Sequence, residues 1–382
     1  MRVHHIRKDH DETFELLGDD GQAIPVVAGF LRQLRARGCS PNTLSAYAYD
    51  LQHFMTFLKE QQLTYLDFSP QHVFLFLEYL SMLPSRKRAQ RLSLVLSTTT
   101  DEGTSATCLS PATINRTFAA VSSFYEYLIL SGAFTSRENP TQHVDDSALA
   151  RVAERHRPFM GRASRQRPIR RSVHVKTARR VPRPMDDEQI GKLLASLRLK
   201  RDKAMLLLML HGGLRPGEVL TLQLEDISYA RRRVTIRYRT DHPKGARTKS
   251  RTERVVDLLQ AETLQAVSDY VMHERPSDAT SPYVFLVGGR GKRRDEPLSY
   301  AALVKLFERH CEHLGIRTPW ITPHALRHTH ATRMFEGGMR DLTLQKRLGH
   351  ASPESTRIYT DISDATVVAE YRQALQAGEE RK

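Results

Sequence analysis

Between Arg151 and Arg183 the chain carries twelve arginines and lysines against one acid, Glu154. A run of that kind repels itself and offers too little apolar surface to build a core. It therefore splits the 382 residues into two parts that must each bury a core of their own, and each part is long enough to do so. The run reads equally as a solvated linker or as a segment that lies along phosphates and releases their counterions. The charge of the whole chain favours phosphates. Lys plus Arg number 58 against 43 Asp plus Glu, a net charge of +15. An excess of that size points to a polyanionic partner, most directly nucleic acid.

Other classes are excluded by what the sequence lacks. Cys39, Cys108 and Cys311 stand far apart with no CxxC spacing, so neither a zinc ribbon nor a disulfide framework is expected and a reducing compartment fits. The N-terminal stretch MRVHHIRKDHDETFELLG has no apolar segment of the kind a signal peptide needs. The longest apolar run, Ala204 to Leu210, is too short to span a bilayer, so no membrane partner is expected.

The first part reads as helical from Pro25. A break at GCSPNT gives Ser40 as a cap and Pro41 in a first turn. Leu44, Tyr47, Leu51, Phe54, Phe57 and Leu58 then recur at helical spacing. Further helices are expected from Pro70 to Leu83 and over INRTFAAVSSFYEYLILSG, where Phe118, Val121, Phe124, Tyr125 and Leu128 share a face. The second part opens at Met185 with Asp186 as a cap and Ile190, Leu193, Leu194 and Leu197 as a stripe. After the apolar helix AMLLLMLHGG the period switches to two. Val234, Ile236 and Tyr238 are expected on one side of a strand, with Val255 and Val256 on its partner. Helices then resume to the end. The expected organisation is an extension over 1–24, a helical domain over 25–145, a basic linker over 146–184, and a mainly α domain with a small antiparallel sheet over 185–382.

Four short patterns in the second part bear chemistry. HGGLRPGEVLTL puts Arg215 at a helix junction, with glycines ending one helix and Pro216 starting the next. TPHALRHTHATR places His324 and Arg327 three apart on one face. The histidines at 324, 328 and 330 invite a metal reading. With no HExxH, cysteine or acidic ligand nearby, no metal is expected, and His328 and His330 are read as packing or hydrogen-bonding groups. LGH ends at His350, and SPESTRIY supplies a cap at Ser352, Pro353 at a first position, and a helix for Tyr359. Taken singly, each of these is as well explained by turn chemistry or packing.

In their order, GLRPGE, HALRH and LGHASPESTRIY resemble the motifs of the tyrosine recombinase (phage integrase) family, with the tyrosine nine residues after the last histidine. The resemblance spans the second domain. It extends more loosely to SPNTLSAYAYDLQHFMTFL, which is similar to the start of the family's helical core-binding domain. It implies that Tyr359 attacks a DNA phosphodiester, that Arg215 and Arg327 hold the non-bridging oxygens, and that His324 is the general base. By the same resemblance His350 donates a hydrogen bond to the phosphate, and a hairpin lysine protonates the leaving 5′ oxygen. Counting back from RVVDL makes that lysine Lys249, with Lys244 as its rival; Glu218 is read as orienting Arg215.

The implied enzyme is a site-specific recombinase, an integrase or transposase of a mobile element, working through a 3′-phosphotyrosyl link. It would need neither cofactor nor ATP, because the cut bond's energy is stored in that link. Its implied partners are double-stranded DNA with specific recombination sites and three further copies of itself in a tetramer, with room for accessory proteins. The implied location is the cytoplasm, at the nucleoid. The alternatives are a type IB topoisomerase, which uses the same chemistry but rejoins the original strand, and a catalytically silent DNA-binding protein.

Overall fold

The computed structural model describes residues 1–8, 11–85, 108–134, 138–141, 143–145, 169–171, 173–177, 184–248, 250 and 253–349. They divide between two compact units, the first ending at Ala178 and the second starting at Arg179.

In the first unit, helices α1 (Pro25–Ala36), α2 (Pro41–Glu60), α3 (His72–Met82) and α4 (Pro111–Leu130) enclose one core. Three of them carry Pro in the first turn, where its missing N–H is not needed. Ser40 caps α2 by accepting the N–H of Thr43, and Ser110 caps α4 through Thr113 in the same way. The stripe anticipated on α4 is buried throughout: Phe118, Val121, Phe124, Tyr125 and Leu128 are all at most 1% exposed. On α2 the stripe is buried apart from Tyr47, which is partly covered.

The first 24 residues are more than an extension. Strands β1 (Arg2–Lys8) and β2 (Asp11–Leu17) form an antiparallel hairpin that contributes Leu16 to the helical core. The N-terminal ammonium and Lys59 both bind Asp19, and Gln52 donates to the carbonyl of Met1, which ties the hairpin to α2. Two three-residue strands, β3 (His143–Asp145) and β4 (Ile169–Arg171), pair antiparallel across the basic segment. Just beyond, Asn115 of α4 clamps Val175 with both halves of its amide, at 2.9 Å each. Part of the arginine-rich run is thus held against the first unit.

The second unit is built around α6 (Lys200–Gly212), whose residues from Ala204 to Leu210 are at most 3% exposed. It is preceded by α5 (Asp187–Ser196), where Asp186 and Gln189 form a reciprocal capping box. Helices α8 (Ala261–His273) and α10 (Pro323–Glu336) pack on α6. The short α7 (Pro216–Leu220) follows α6 directly, and α9 (Tyr300–His313) completes the core. A three-stranded antiparallel sheet, β5 (Ile227–Ser228), β6 (Arg233–Ile236) and β7 (Arg254–Asp257), pairs Val234 with Val256. Tyr238 does not join it. The strand ends at Ile236, because Arg237 and Arg239 turn to Glu225 and Asp226, and Tyr238 is left 43% exposed. Finally α11 (Asp341–Leu348) seats Leu344 and Leu348 on Ala331 of α10.

Candidate active site

Helix α6 ends at Gly213, which adopts φ 64°, in the left-handed region. A Cβ there would sit 2.5 Å from the ring of His330, so both conformation and space require glycine. The chain reverses through Leu214 and starts α7 at Pro216, which leaves Arg215 at the junction. Glu218, one turn on, accepts the backbone N–H of Arg215 at 2.8 Å and its guanidinium Nη1 at 2.8 Å. Glu218 therefore orients Arg215 through both main chain and side chain.

Arg327 projects from α10 and is 3% exposed. Its Nη1 donates to the carbonyl of Gly213 at 2.6 Å and its Nη2 to that of Leu348 at 2.7 Å. Arg215 reaches the same turn, with Nη1 3.4 Å from the Leu348 carbonyl and Nη2 3.2 Å from that of Gly349. The two guanidiniums from separate motifs thus meet at the Leu-Gly pair that leads into residue 350. His324 lies half-buried on the same helix as Arg327, three residues earlier. Lys249, His350 and Tyr359 lie outside the described residues, as does the tail helix expected after them.

Sequence reasoning gave Arg254 no role beyond fixing strand register. Its Nη1 and Nη2 grip the two oxygens of Glu218 at 2.9 and 2.7 Å, and its Nε donates to the carbonyl of Arg347 at 3.0 Å. Burial raises the pKa of Glu218, but the Arg254 fork and the charges of Arg254, Arg327 and Arg215 outweigh it and hold the carboxyl at about 2. Gly349, at φ 64°, has no room for a Cβ, which would fall 2.8 Å from Arg254 Nη1. The sequence signal for Arg254 was faint: an arginine opening a strand whose alternate residue, Val256, is buried.

The other two histidines of the cluster are occupied in packing. His330 is 2% exposed, with Nδ1 2.9 Å from the Leu210 carbonyl and Nε2 3.1 Å from Arg347 Nε. Both ring nitrogens are used, which fits a neutral Nδ1–H tautomer. Burial, and then the charge of Arg347, brings its pKa down to about 3. His328 falls to about 4, through burial first and then His324 and Arg327.

The loop between β6 and β7 is pinned by Thr248, whose hydroxyl takes the N–H of Arg239 at 2.7 Å. The backbone carbonyl of Arg247 presses on Gly217, where a Cβ would be 2.6 Å away. Lys244 is bound to Glu296 at 2.5 Å. Ser250, Arg254, Thr343, Lys346 and Gly349 line a groove of about 730 Å³.

This arrangement can be set beside known proteins. Residues 183–366 match the phage integrase family, and residues 27–132 match its N-terminal SAM-like domain. Over the full length of both chains the protein is 28% identical to transposase A from transposon Tn554 of Staphylococcus aureus. It is also 28% identical to the tyrosine recombinase XerC of Caldanaerobacter subterraneus, over 89% of this chain and 84% of that one. The fold is similar to that of the Tn1549 transposon integrase solved in complex with a circular intermediate DNA, with a TM-score of 0.58 and 18% identity over 91% of this chain and 99% of that one. A lambda integrase dimer bound to a core site gives 0.54 at 15% identity, covering 89% of this chain and 95% of that one. The chain belongs to the phage integrase family of tyrosine recombinases.

Proposed function

We propose that the protein is a site-specific DNA recombinase serving a mobile element, and that it cuts and rejoins DNA through a 3′-phosphotyrosyl intermediate at Tyr359. One observation carries the reading of the site. Arg215 and Arg327, 112 residues apart in sequence, aim their guanidiniums at one turn, the carbonyls of Leu348 and Gly349. Polar donors converging there can take the non-bridging oxygens of a phosphodiester, and planar forks do so with two parallel hydrogen bonds. They then neutralise charge as the phosphorus becomes pentacoordinate.

Tyrosine is a weak nucleophile at its ordinary pKa near 10 and needs a base, for which His324 stands on the same helix as Arg327. His350, which follows the Leu-Gly turn directly, donates to a phosphate oxygen. Lys249 gives a proton to the leaving 5′ oxygen. Three contacts support Lys249 over Lys244: Arg247 touches Gly217 of the GLRPGE segment, Ser250 lines the groove beside Gly349, and Lys244 is committed to Glu296. A 5′-hydroxyl from another strand reverses the attack, which gives recombination when that strand comes from a second site.

The helical unit and the α-rich unit both take part in holding double-stranded DNA, and residues 146–184 connect them along the phosphates. Four protomers assemble on two sites, at the nucleoid. The expectation of a mobile element is supported by a full-length relative that is a transposase by name.

The test uses a pool of nicked duplexes of random sequence. The protein should form an SDS-stable covalent adduct with a subset of them in the presence of EDTA, and Tyr359→Phe should form none while still binding. Adduct formation by Tyr359→Phe would move the nucleophile elsewhere. Relaxation of supercoiled plasmid without strand exchange would favour the topoisomerase alternative.

A further inference from the structure

We infer that Arg254 is a positioning residue for strand cleavage: it neutralises Glu218 and seats the Leu348–Gly349 turn, so that the charges of Arg215 and Arg327 are left for the scissile phosphate. The inference rests on the recombinase reading above and assigns a role to a side chain that reading does not use.

The charge count gives the reason. Glu218 is wholly buried and faces three guanidiniums, with Arg254 and Arg215 in hydrogen-bond contact and Arg327 Nη1 at 3.7 Å. Three positive charges and one negative leave a net of +2. A phosphodiester in its pentacoordinate state carries two negative charges, so the cluster matches it. With Arg254 removed the same sum is +1. The buried carboxylate would then have two oxygens to satisfy and would draw Arg215 and Arg327 inward, because an unpaired buried charge is costly. Arg254 limits this by giving each oxygen a partner beside the bonds Arg215 already makes, and Arg327 Nη1 stays 3.7 Å away.

Its third donor does the other half of the work. The Nε bond to Arg347 lies at the C-terminal end of α11, where carbonyls have no helical partners. The guanidinium lies against Gly349 so closely that no side chain fits there. Both Nη atoms of Arg254 are taken by the Glu218 carboxylate and its Nε by the Arg347 carbonyl. That places it to set the geometry of Arg215 and Arg327 through Glu218 and the turn they reach. Arg254 also opens β7, so its bonds hold the start of that strand.

The experiment measures single-turnover adduct formation and DNA binding on a nicked duplex recovered from the random pool. Arg254→Met should slow adduct formation about 10²-fold, the cost of a small misplacement at a reacting centre, with binding within about threefold of the parent. Arg254→Lys, which keeps the charge and loses the fork, should fall between the two. The double variant Arg254→Met/Glu218→Gln removes the stranded charge and should recover at least about tenfold of the lost rate. A plain structural salt bridge predicts loss and recovery of stability only, with the adduct rate of the folded variants unchanged.

An unchanged rate in Arg254→Met would overturn the inference, as would a double variant slower than Arg254→Met alone. If Arg254→Met does not fold, the double variant is compared directly with the parent, and a rate more than about 10²-fold below it overturns the inference. A parent that forms no adduct at all would sink the recombinase reading and this inference with it. A parent that reacts normally beside an indifferent Arg254 variant would sink the inference alone.

Discussion

The N-terminal unit fills its interior with rings, and the second unit fills its own with aliphatic chains around buried charge. In the first, Phe54 meets Phe68, Phe76, Phe124 and Tyr125 edge-on at centroid distances of 5.0–6.5 Å. Among its described residues Asp50 is the one buried charge, held by both Arg116 and Thr117. In the second, Leu206, Leu207, Leu208 and Met209 of α6 are wholly buried, yet Arg201, Asp202, Glu218, Asp226 and Arg327 are also buried. Apolar packing needs no charge, and a buried charge costs several kcal/mol unless it is paired. The first unit relies on packing. A domain that must answer the charge of a reacting phosphate has to keep cations desolvated and aimed, and Glu218 and Arg254 are how this one does so.

The comparison makes the units respond differently to substitution. The largest effect is expected from Phe54→Ala, which opens a cavity among four rings and should cost about 3–5 kcal/mol of stability in chemical denaturation. DNA binding should fall with it. A loss below about 1 kcal/mol would mean that the ring cluster does not carry the first unit. Next, Arg215→Lys should leave the denaturation midpoint close to the parent and slow adduct formation about 10²-fold, since lysine keeps the charge but not the fork. A drop in stability without a drop in rate would reverse the contrast drawn between the two units.

The third test is acidity. Burial first, helped by neighbouring cations, holds His242 and His328 at about 4 and His330 at about 3. These folded values lie below the ordinary imidazole value of 6.5, so the unfolded chain binds protons that the folded unit refuses. The stability they contribute is complete above about pH 6.5 and is lost as the pH falls toward 4 and 3. All three belong to the second unit, so its unfolding midpoint should fall across that range ahead of the first unit's. His330→Asn should flatten the decline, read by calorimetry at several pH values. Parallel declines in the two units would contradict the assignment.

The smallest effect is expected for Lys244→Ala. With Lys244 bound to Glu296, its loss should change adduct formation by less than about threefold, whereas Lys249→Ala should slow it about 10²-fold or more. The opposite ranking would shift the proton donor to Lys244.

How legible this was in the sequence followed the range of each interaction. Ser40 with Pro41 and Asp186 with Gln189 are local signals, and the helices they start are where the sequence puts them. The stripes on α2 and α4 were equally clear, because helical period needs only neighbouring residues. The hairpin over Arg2–Leu17 was not: RVHHIRK and DETFELL are rich in polar residues and become strands by pairing with each other. Tyr238 continued the alternation of β6, but ion pairs of the arginines beside it ended the strand earlier. Arg215 and Arg327 could be named from motif order. Their convergence on Leu348 and the balancing of Glu218 by Arg254, 36 residues away, depend on tertiary contacts that no local pattern records.

The central claim is that Tyr359 takes up the DNA phosphate, and mass spectrometry of the adduct addresses it most directly. After nuclease and trypsin digestion, the nucleotide-bearing peptide should be the one from Ile358 to Arg372, with fragment ions placing the phosphate on Tyr359 and not on Tyr371. A nucleotide found on Tyr371, or on any peptide outside that stretch, would contradict the account.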